Sequence, residues 1–163
     1  MAAKGTQLAL DLRHRVAMGR EDFLVSPSNA DAVAWIDRWP DWPGPALVIV
    51  GPPGSGKTHL GQVWRQQAGA VPFDQTIPAT EQIHAPVFVD DADRGRGDED
   101  LFHLFNAAKT AGISILFVSR TPPAQWEGRL PDLKSRLAAA PNIQIQAPDT
   151  PLIAAVMVKM FAD

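Results

Sequence analysis

The fold is decided by the run Ala46-Leu47-Val48-Ile49-Val50 and by the stretch that follows it, Gly51-Pro52-Pro53-Gly54-Ser55-Gly56-Lys57-Thr58. The first run is short, apolar and rich in β-branched side chains, which is typical of a strand buried on both faces. The second stretch matches the pattern G-x-x-x-x-G-K-[ST], in which a glycine-rich turn leads from a strand into a helix. We therefore predict a strand, a phosphate-binding loop and a helix in direct succession.

The loop has the chemistry needed to hold a polyphosphate. Glycines let backbone N–H groups curl around an anion, and the amino terminus of the next helix adds partial positive charge. Lys57 is expected to reach the terminal phosphates and Thr58 to ligate Mg²⁺. We predict a purine nucleotide, ADP or ATP, with Mg²⁺. The predicted binding residues are Gly51, Pro52, Pro53, Gly54, Ser55, Gly56, Lys57, Thr58 and His59. A glycine-rich turn without a ligand is the simpler alternative, but the strand and helix beside it weigh against that reading.

A second apolar run, Val87-Phe88-Val89, ends in Asp90 and Asp91. A buried strand that delivers a carboxylate beside the phosphate loop is what a Mg²⁺ shell requires. We assign Asp90 to the metal and Asp91 to the polarisation of the attacking water. Taken alone, two aspartates after a strand more often begin a loop or cap a helix, and the upstream loop reverses that preference.

Strand-like and helix-like segments alternate along the chain. Further apolar runs at 113–118 and 143–145 are expected to be strands. Helices are expected over 59–67, 99–111 and 130–137, from Ser28 to the Trp39-Pro40 step, and from Thr150 onward. Ser28 and Asp98 are expected to cap two of them. The pattern predicts an α/β fold, a three-layer αβα domain around a five-stranded parallel sheet.

Composition excludes several kinds of function. The chain has 15 basic and 18 acidic residues, so it lacks the excess of positive charge that binds a nucleic acid backbone. Any DNA contact is therefore expected to be indirect. Cysteine is absent, which excludes disulfides, thiolate catalysis and cysteine-ligated zinc. No apolar segment approaches the length of a membrane span, so we expect no membrane association and a cytoplasmic location.

Three further segments carry a family resemblance: Phe23-Leu24-Val25-Ser26-Pro27-Ser28-Asn29, Val89-Asp90-Asp91 and Leu133-Lys134-Ser135-Arg136-Leu137. With the loop, they resemble AAA+ P-loop ATPases of the DnaA/Hda type over almost the whole chain. The resemblance implies that Phe23 and Val25 line an adenine pocket and that Arg136 is an arginine finger acting on a neighbour's nucleotide. Without it, Arg136 would be assigned to a solvated helix face. Ser119 lies near the family's polar sensor, although Arg120 stands where such chains usually have aspartate.

Two features favour the Hda type, whose members regulate the initiator DnaA. Gln7-Leu8-Ala9-Leu10-Asp11-Leu12 resembles the peptide with which that type grips the sliding clamp of DNA polymerase, through Gln7, Leu8, Leu10 and Leu12. The alternative is an amphipathic tail that binds no specific partner. The connection between Thr58 and Asp90 is also too short for the extra helices with which DnaA grips single-stranded DNA.

The implied organisation is a flexible tail over 1–20 and an AAA+ core over 21–163, without the family's C-terminal helical lid, which would follow Asp163. The implied function is a regulator that, bound to the clamp, stimulates ATP hydrolysis by DnaA through Arg136, with weak hydrolysis of its own at most. An autonomous AAA+ ATPase, such as a DnaA-like initiator or a helicase-loader-like factor, and a nucleotide-binding module without catalytic output are the alternatives. Self-association is left open.

Overall fold

The computed structural model describes residues 19–162, which contain five strands and six α-helices. The strands are β1 (Ala46–Val50), β2 (Val71–Pro72), β3 (Val87–Val89), β4 (Ile115–Ser119) and β5 (Asn142–Gln144). The helices are α1 (Ala30–Arg38), α2 (Lys57–Ala68), α3 (Ala79–Gln82), α4 (Asp98–Ala111), α5 (Pro131–Ala139) and α6 (Thr150–Ala162). Short 3₁₀ turns cover Arg20–Asp22 and Pro123–Gln125.

The five strands form one parallel sheet in the order β2-β3-β4-β1-β5. In the centre, β1 lies between β4 and β5, and Val50 is in register with Ser119 on one side and Gln144 on the other. Because all strands are parallel, the loops that follow them lie along one edge of the sheet. The residues after β1 and β3 and the end of β4 therefore come together at this carboxyl edge.

Helices cover both faces of the sheet. Alternate strand residues face two separate apolar clusters, as the period of two along a strand requires. One cluster contains the buried faces of α1 and α2, with the fully buried Trp64 at its centre. The other contains the buried faces of α4 and α5. The predicted three-layer α/β fold with a five-stranded parallel sheet is confirmed.

Two of the predicted helix caps are wrong. The Ser28 hydroxyl pairs with that of Ser26 at 2.6 Å, and α1 begins after Asn29, whose Oδ1 accepts the Ser26 N–H at 2.9 Å. Asp98 lies inside the first turn of α4, after Gly97, and its carboxylate contacts residues near the start of α5 instead. A local turn and a long-range partner thus each displace a cap that sequence spacing favours.

The last helix, α6, is apolar but exposed. None of its residues is buried, and large apolar side chains face solvent at Ile153, Val156, Met157, Val158, Met160 and Phe161. The Lys159 ammonium donates to the Asp22 carbonyl at 2.7 Å, which links the helix to the first described turn. Across residues 19–162, no helix is both long enough and apolar enough to cross a membrane.

Candidate nucleotide site

The phosphate loop connects the end of β1 to the start of α2. Gly54 has φ 76° and Gly56 has φ 89°, the left-handed region that glycine enters without steric cost. The Ser55 N–H donates to the Pro52 carbonyl at 3.2 Å, which closes a tight turn. The turn ends at the amino terminus of α2, where free N–H groups and the helix dipole favour an anion.

Lys57 is the first residue of α2 and is buried. Its ammonium donates to the Pro52 carbonyl at 3.0 Å, so the side chain arches back across the mouth of the loop. A buried lysine is unusual unless its charge has a partner. Here a carbonyl supplies one contact, and two ammonium donors remain available for a phosphate.

A buried hydroxyl in the loop supports the same interpretation. Ser55 is buried, and its Oγ has no hydrogen-bond partner within residues 19–162. Leaving a buried donor unpaired costs about 1–3 kcal/mol, so such a group is expected to have a ligand or water as its partner. The loop therefore fits a bound phosphate on its own geometry.

The metal-side residues meet beside the loop. Thr58 Oγ1 lies 3.2 Å from Asp90 Oδ1 and 3.2 Å from Oδ2, with the hydroxyl as donor. Asp90 Oδ1 also accepts the Asp91 N–H at 2.9 Å, which fixes the carboxylate relative to the end of β3. One hydroxyl and one carboxylate suit Mg²⁺ in a nucleotide site, since the ion takes its other ligands from phosphate and water. Among the described residues no cluster of three or more acidic or histidine ligands offers a competing metal site.

Asp91 is held in an uncommon conformation. Its φ is 48°, in the left-handed region, and its carboxylate is 60% exposed, with Oδ1 3.9 Å from the Arg94 guanidinium. Non-glycine residues in this region store strain and cluster at functional sites. The Asp91 carboxylate is thus available to solvent at the same edge of the sheet as Asp90.

Ser119 ends β4 next to the loop but turns its hydroxyl away. Its carbonyl accepts the Gly51 N–H at 3.1 Å, so β4 holds the first residue of the loop. Its fully buried side chain donates to the Thr121 carbonyl at 2.8 Å. Ser119 supports the loop through its backbone, and its hydroxyl is engaged within its own turn.

Sequence reasoning missed Asp93. One carboxylate oxygen of Asp93 accepts the N–H groups of Arg120 at 3.1 Å and Thr121 at 3.3 Å. The loop after β3 is thereby tied to the end of β4. The chain has arginine at position 120, and Asp93 supplies a carboxylate to this turn from another part of the sequence. The only sequence signal for this contact was Arg120, which stands where chains of the resembled type usually have aspartate.

His59 directly follows the loop, and Phe23 contacts His59. The ring of Phe23 is buried and meets the His59 ring edge-on, with centroids 5.3 Å apart. The Val25 side chain is 52% exposed. The Ser28 carbonyl accepts the Gln146 N–H at 3.0 Å, which holds this segment against the residues that follow β5. An apolar surface next to a phosphate loop suits the flat base of a nucleotide.

Arg136 lies far from the loop. It is exposed near the carboxyl end of α5 and lines a groove with Ala46 and Pro141, which mark the amino ends of β1 and β5. Its guanidinium donates to Asn106 Oδ1 at 2.8 Å and lies 5.2 Å from the Phe102 ring centroid, both on α4. The length of β1 separates Arg136 from Gly51, so Arg136 lies at the opposite edge of the sheet from its own phosphate loop. Gln7, Leu8, Leu10 and Leu12 lie outside the described residues.

Comparison with solved structures identifies the architecture. A structure of a DNA replication initiation factor matches 90% of this chain and 54% of its own, with a TM-score of 0.79 and 18% identity. AMPPCP-bound DnaA from Aquifex aeolicus matches 89% of this chain and 56% of its own, with a TM-score of 0.76 and 20% identity. Domain III of DnaA from Thermotoga maritima matches 89% of this chain and 73% of its own, with a TM-score of 0.74 and 20% identity. The chain therefore shares its fold with these DnaA structures.

Sequence similarity points the same way. This chain is 27% identical over 169 residues to the chromosomal replication initiator protein DnaA of Treponema denticola. The match covers 85% of this chain and 36% of the relative, so the chain spans about a third of that protein's length. No family model matches the chain.

Proposed function

We propose that this DnaA-like domain binds ADP or ATP with Mg²⁺ at the phosphate loop and regulates the initiation of chromosome replication. In this proposal Lys57 and the loop amides hold the phosphates, and Thr58 and Asp90 hold the metal. Phe23, Val25 and His59 lie against the base. The left-handed glycines, the unpartnered Ser55 hydroxyl and the Thr58–Asp90 pair support nucleotide binding independently of any relative.

The regulatory step is stimulation of ATP hydrolysis by DnaA. The observation that carries it is the position of Arg136, exposed on α5 and at the opposite edge of the sheet from its own loop. An arginine so placed cannot serve the nucleotide of its own chain, whereas it can enter the site of a neighbouring molecule. A guanidinium supplied in this way stabilises transition-state charge and is worth about 10³ to 10⁵ in rate.

The partner that brings this domain to DnaA is the sliding clamp of DNA polymerase, bound through Gln7, Leu8, Leu10 and Leu12. A glutamine with spaced leucines fits a groove in an extended or helical form. DNA contact is then indirect, as the net charge of −3 favours. Loss of clamp binding in the Gln7→Ala/Leu10→Ala variant, with Lys4→Ala as control, supports the tether, and retained binding removes it.

The deciding experiment follows hydrolysis of ATP pre-bound to purified DnaA, with this protein, nucleotide and DNA-loaded clamp present. Wild type is expected to stimulate hydrolysis, and Arg136→Ala to lower the stimulation by about 10³-fold or more. Lys134→Ala on the same helix is the matched control. Equal stimulation by wild type and Arg136→Ala would contradict the role of the finger.

An autonomous ATPase is the second candidate. It uses the same Lys57 and Asp90 but needs Asp91 to activate water in this chain, and the exposed carboxylate of Asp91 favours it. ATPases of the type that the sequence resembles usually carry glutamate at this position. Aspartate is one methylene shorter, so slow intrinsic hydrolysis is expected. Several turnovers per minute in the absence of DnaA, abolished by Asp91→Asn, would support this alternative.

A further inference from the structure

A mostly buried ion pair lies at the start of the helix that carries Arg136. Arg129 and Asp98 contact each other directly, and their side chains are only 12% and 17% exposed. The Arg129 guanidinium also donates to the Arg96 carbonyl at 2.9 Å and lies 5.5 Å from the Trp126 ring centroid. The arginine is thus held on several sides, immediately before α5 begins.

The Asp98 carboxylate makes a second contact at the amino end of α5. Its other oxygen accepts the Leu130 N–H at 2.6 Å, and Leu130 is the residue that precedes the first turn of α5. Free N–H groups at a helix start need partners, and a carboxylate there also matches the helix dipole. Asp98 therefore anchors both the backbone and the preceding side chain at the amino end of α5.

Helix α4 holds α5 at two points. Its first residue, Asp98, contacts Arg129 and Leu130, and Asn106, farther along the same helix, contacts Arg136 at 2.8 Å. Leu130 and Arg136 are roughly 9 Å apart along α5, at about 1.5 Å per residue. Two anchors at this spacing set the direction of α5 and the place where the Arg136 guanidinium is presented.

The ion pair is not explained by stability alone. Removing two charges from water costs free energy, so a buried pair is often no more stabilising than apolar residues of the same size. What such a pair supplies is direction, because charge-assisted hydrogen bonds have fixed geometry. Helices α4 and α5 already share an apolar cluster, and the ion pair adds a directional contact at the amino end of α5.

We propose that Arg129 and Asp98 are positioning residues that orient α5 so that Arg136 meets the nucleotide of a neighbouring molecule. This inference rests on the trans-acting role given to Arg136 under the proposed function. The contact of Arg96 with the Asp90 carbonyl at 3.1 Å continues the same set of hydrogen bonds to the metal side of this chain's own site. The contacts that hold the start of α5 are thereby connected to the loop that follows Asp90.

The first test measures position without DnaA. The chain has no cysteine, so spin labels can be attached at Ser135→Cys on α5 and Gln67→Cys on α2. In the Arg129→Met/Asp98→Asn double variant, which leaves no single buried charge, the distance distribution between the labels is expected to broaden or shift. Arg129→Lys is expected to keep most of the original distribution, and Glu99→Gln, beside Asp98, all of it. An unchanged distribution in the double variant would overturn the inference.

The second test separates this inference from the proposed function. In the DnaA hydrolysis assay the double variant is expected to lose stimulation at least tenfold while its own Mg²⁺–ADP affinity and melting temperature stay close to wild type. Combined with Arg136→Ala it should cause no further loss. Full stimulation by the double variant, where Arg136→Ala abolishes it, overturns only the inference. Full stimulation by Arg136→Ala overturns the proposed function and with it the role given to the ion pair, and the label distances then show only whether the pair orients α5.

Discussion

Thr58 Oγ1 lies 3.2 Å from both carboxylate oxygens of Asp90, although 32 positions separate the two residues in the sequence. The contact brings the start of α2 against the end of β3. Mg²⁺ prefers oxygen ligands, and in nucleotide sites it takes one or two from the protein. The pair therefore has the composition of the protein half of a Mg²⁺–nucleotide shell.

Removing the Thr58 hydroxyl should weaken only the Mg²⁺-dependent part of nucleotide binding. Thr58→Val keeps the shape of the side chain and removes the metal ligand, so the Kd for Mg²⁺–ADP is expected to rise about tenfold, since a contact to a charged group contributes about 1.5–3 kcal/mol. In EDTA the Kd should match that of wild type. Isothermal titration calorimetry with and without Mg²⁺ measures both values, and Thr110→Val on α4 is the control. An equal loss with and without Mg²⁺ would contradict the metal assignment.

Lys57 should behave differently from Thr58. Its ammonium is expected to contact phosphate directly, so Lys57→Ala should raise the Kd by roughly tenfold to a hundredfold whether or not Mg²⁺ is present. The matched control is Lys109→Ala, an exposed lysine on α4. Thermal melting in the absence of nucleotide shows whether the variant folds. A folded Lys57→Ala protein with wild-type affinity would mean that the loop does not bind phosphate.

The layered fold could be predicted because the central strands are apolar without interruption. Strands β1 and β3 have the predicted bounds, and β4 and β5 are displaced by one or two residues. The strand missed was β2, Val71–Pro72, which is too short to show a period of two and contains a proline that only an edge position tolerates. The helix missed was α3, which spans a single turn at Ala79–Gln82.

The candidate site was only partly accessible from sequence. The phosphate loop is a contiguous motif, so local spacing revealed it. Asp93 contacts Thr121, which is 28 positions away, and Arg129 contacts Asp98, which is 31 positions away. No local sequence pattern marks such pairs. Their roles depend on which loops the parallel sheet brings to one edge, which the fold alone determines.

A methyl group at Gly61 should strain the packing of α2 on the sheet. A Cβ at this position would lie 2.4 Å from two atoms of the Phe88 ring, which is itself buried on β3. Gly61→Ala is therefore expected to destabilise the protein by about 1–3 kcal/mol, as overpacking of a filled core does. Urea denaturation measures the loss. The control is Gly44→Ala, where an added Cβ would meet nothing within 4 Å. Equal stabilities of the two variants would mean that the ring moves aside without cost.

Arg20 and Asp37 join the first described turn to α1. The guanidinium donates to both carboxylate oxygens at 2.8 Å. This hydrogen bonding, with the positive charge of Arg20, holds the pKa of Asp37 below its usual value. Because the folded-state pKa is depressed, the stabilisation is present above the unfolded pKa of about 3.9 and is lost as pH falls through the folded value.

Both side chains are more than a third exposed, so the contribution of the pair is small. Asp37→Asn should lower the free energy of unfolding by less than about 1 kcal/mol at neutral pH, since solvent screens exposed pairs. The difference from wild type should shrink below about pH 4 and vanish in stronger acid, where both proteins carry a neutral side chain at this position. Urea denaturation across pH 3–7 follows the trend, with Asp41→Asn as control. A difference that grew toward low pH would have the wrong sign for a depressed pKa and would exclude this ion pair as its source.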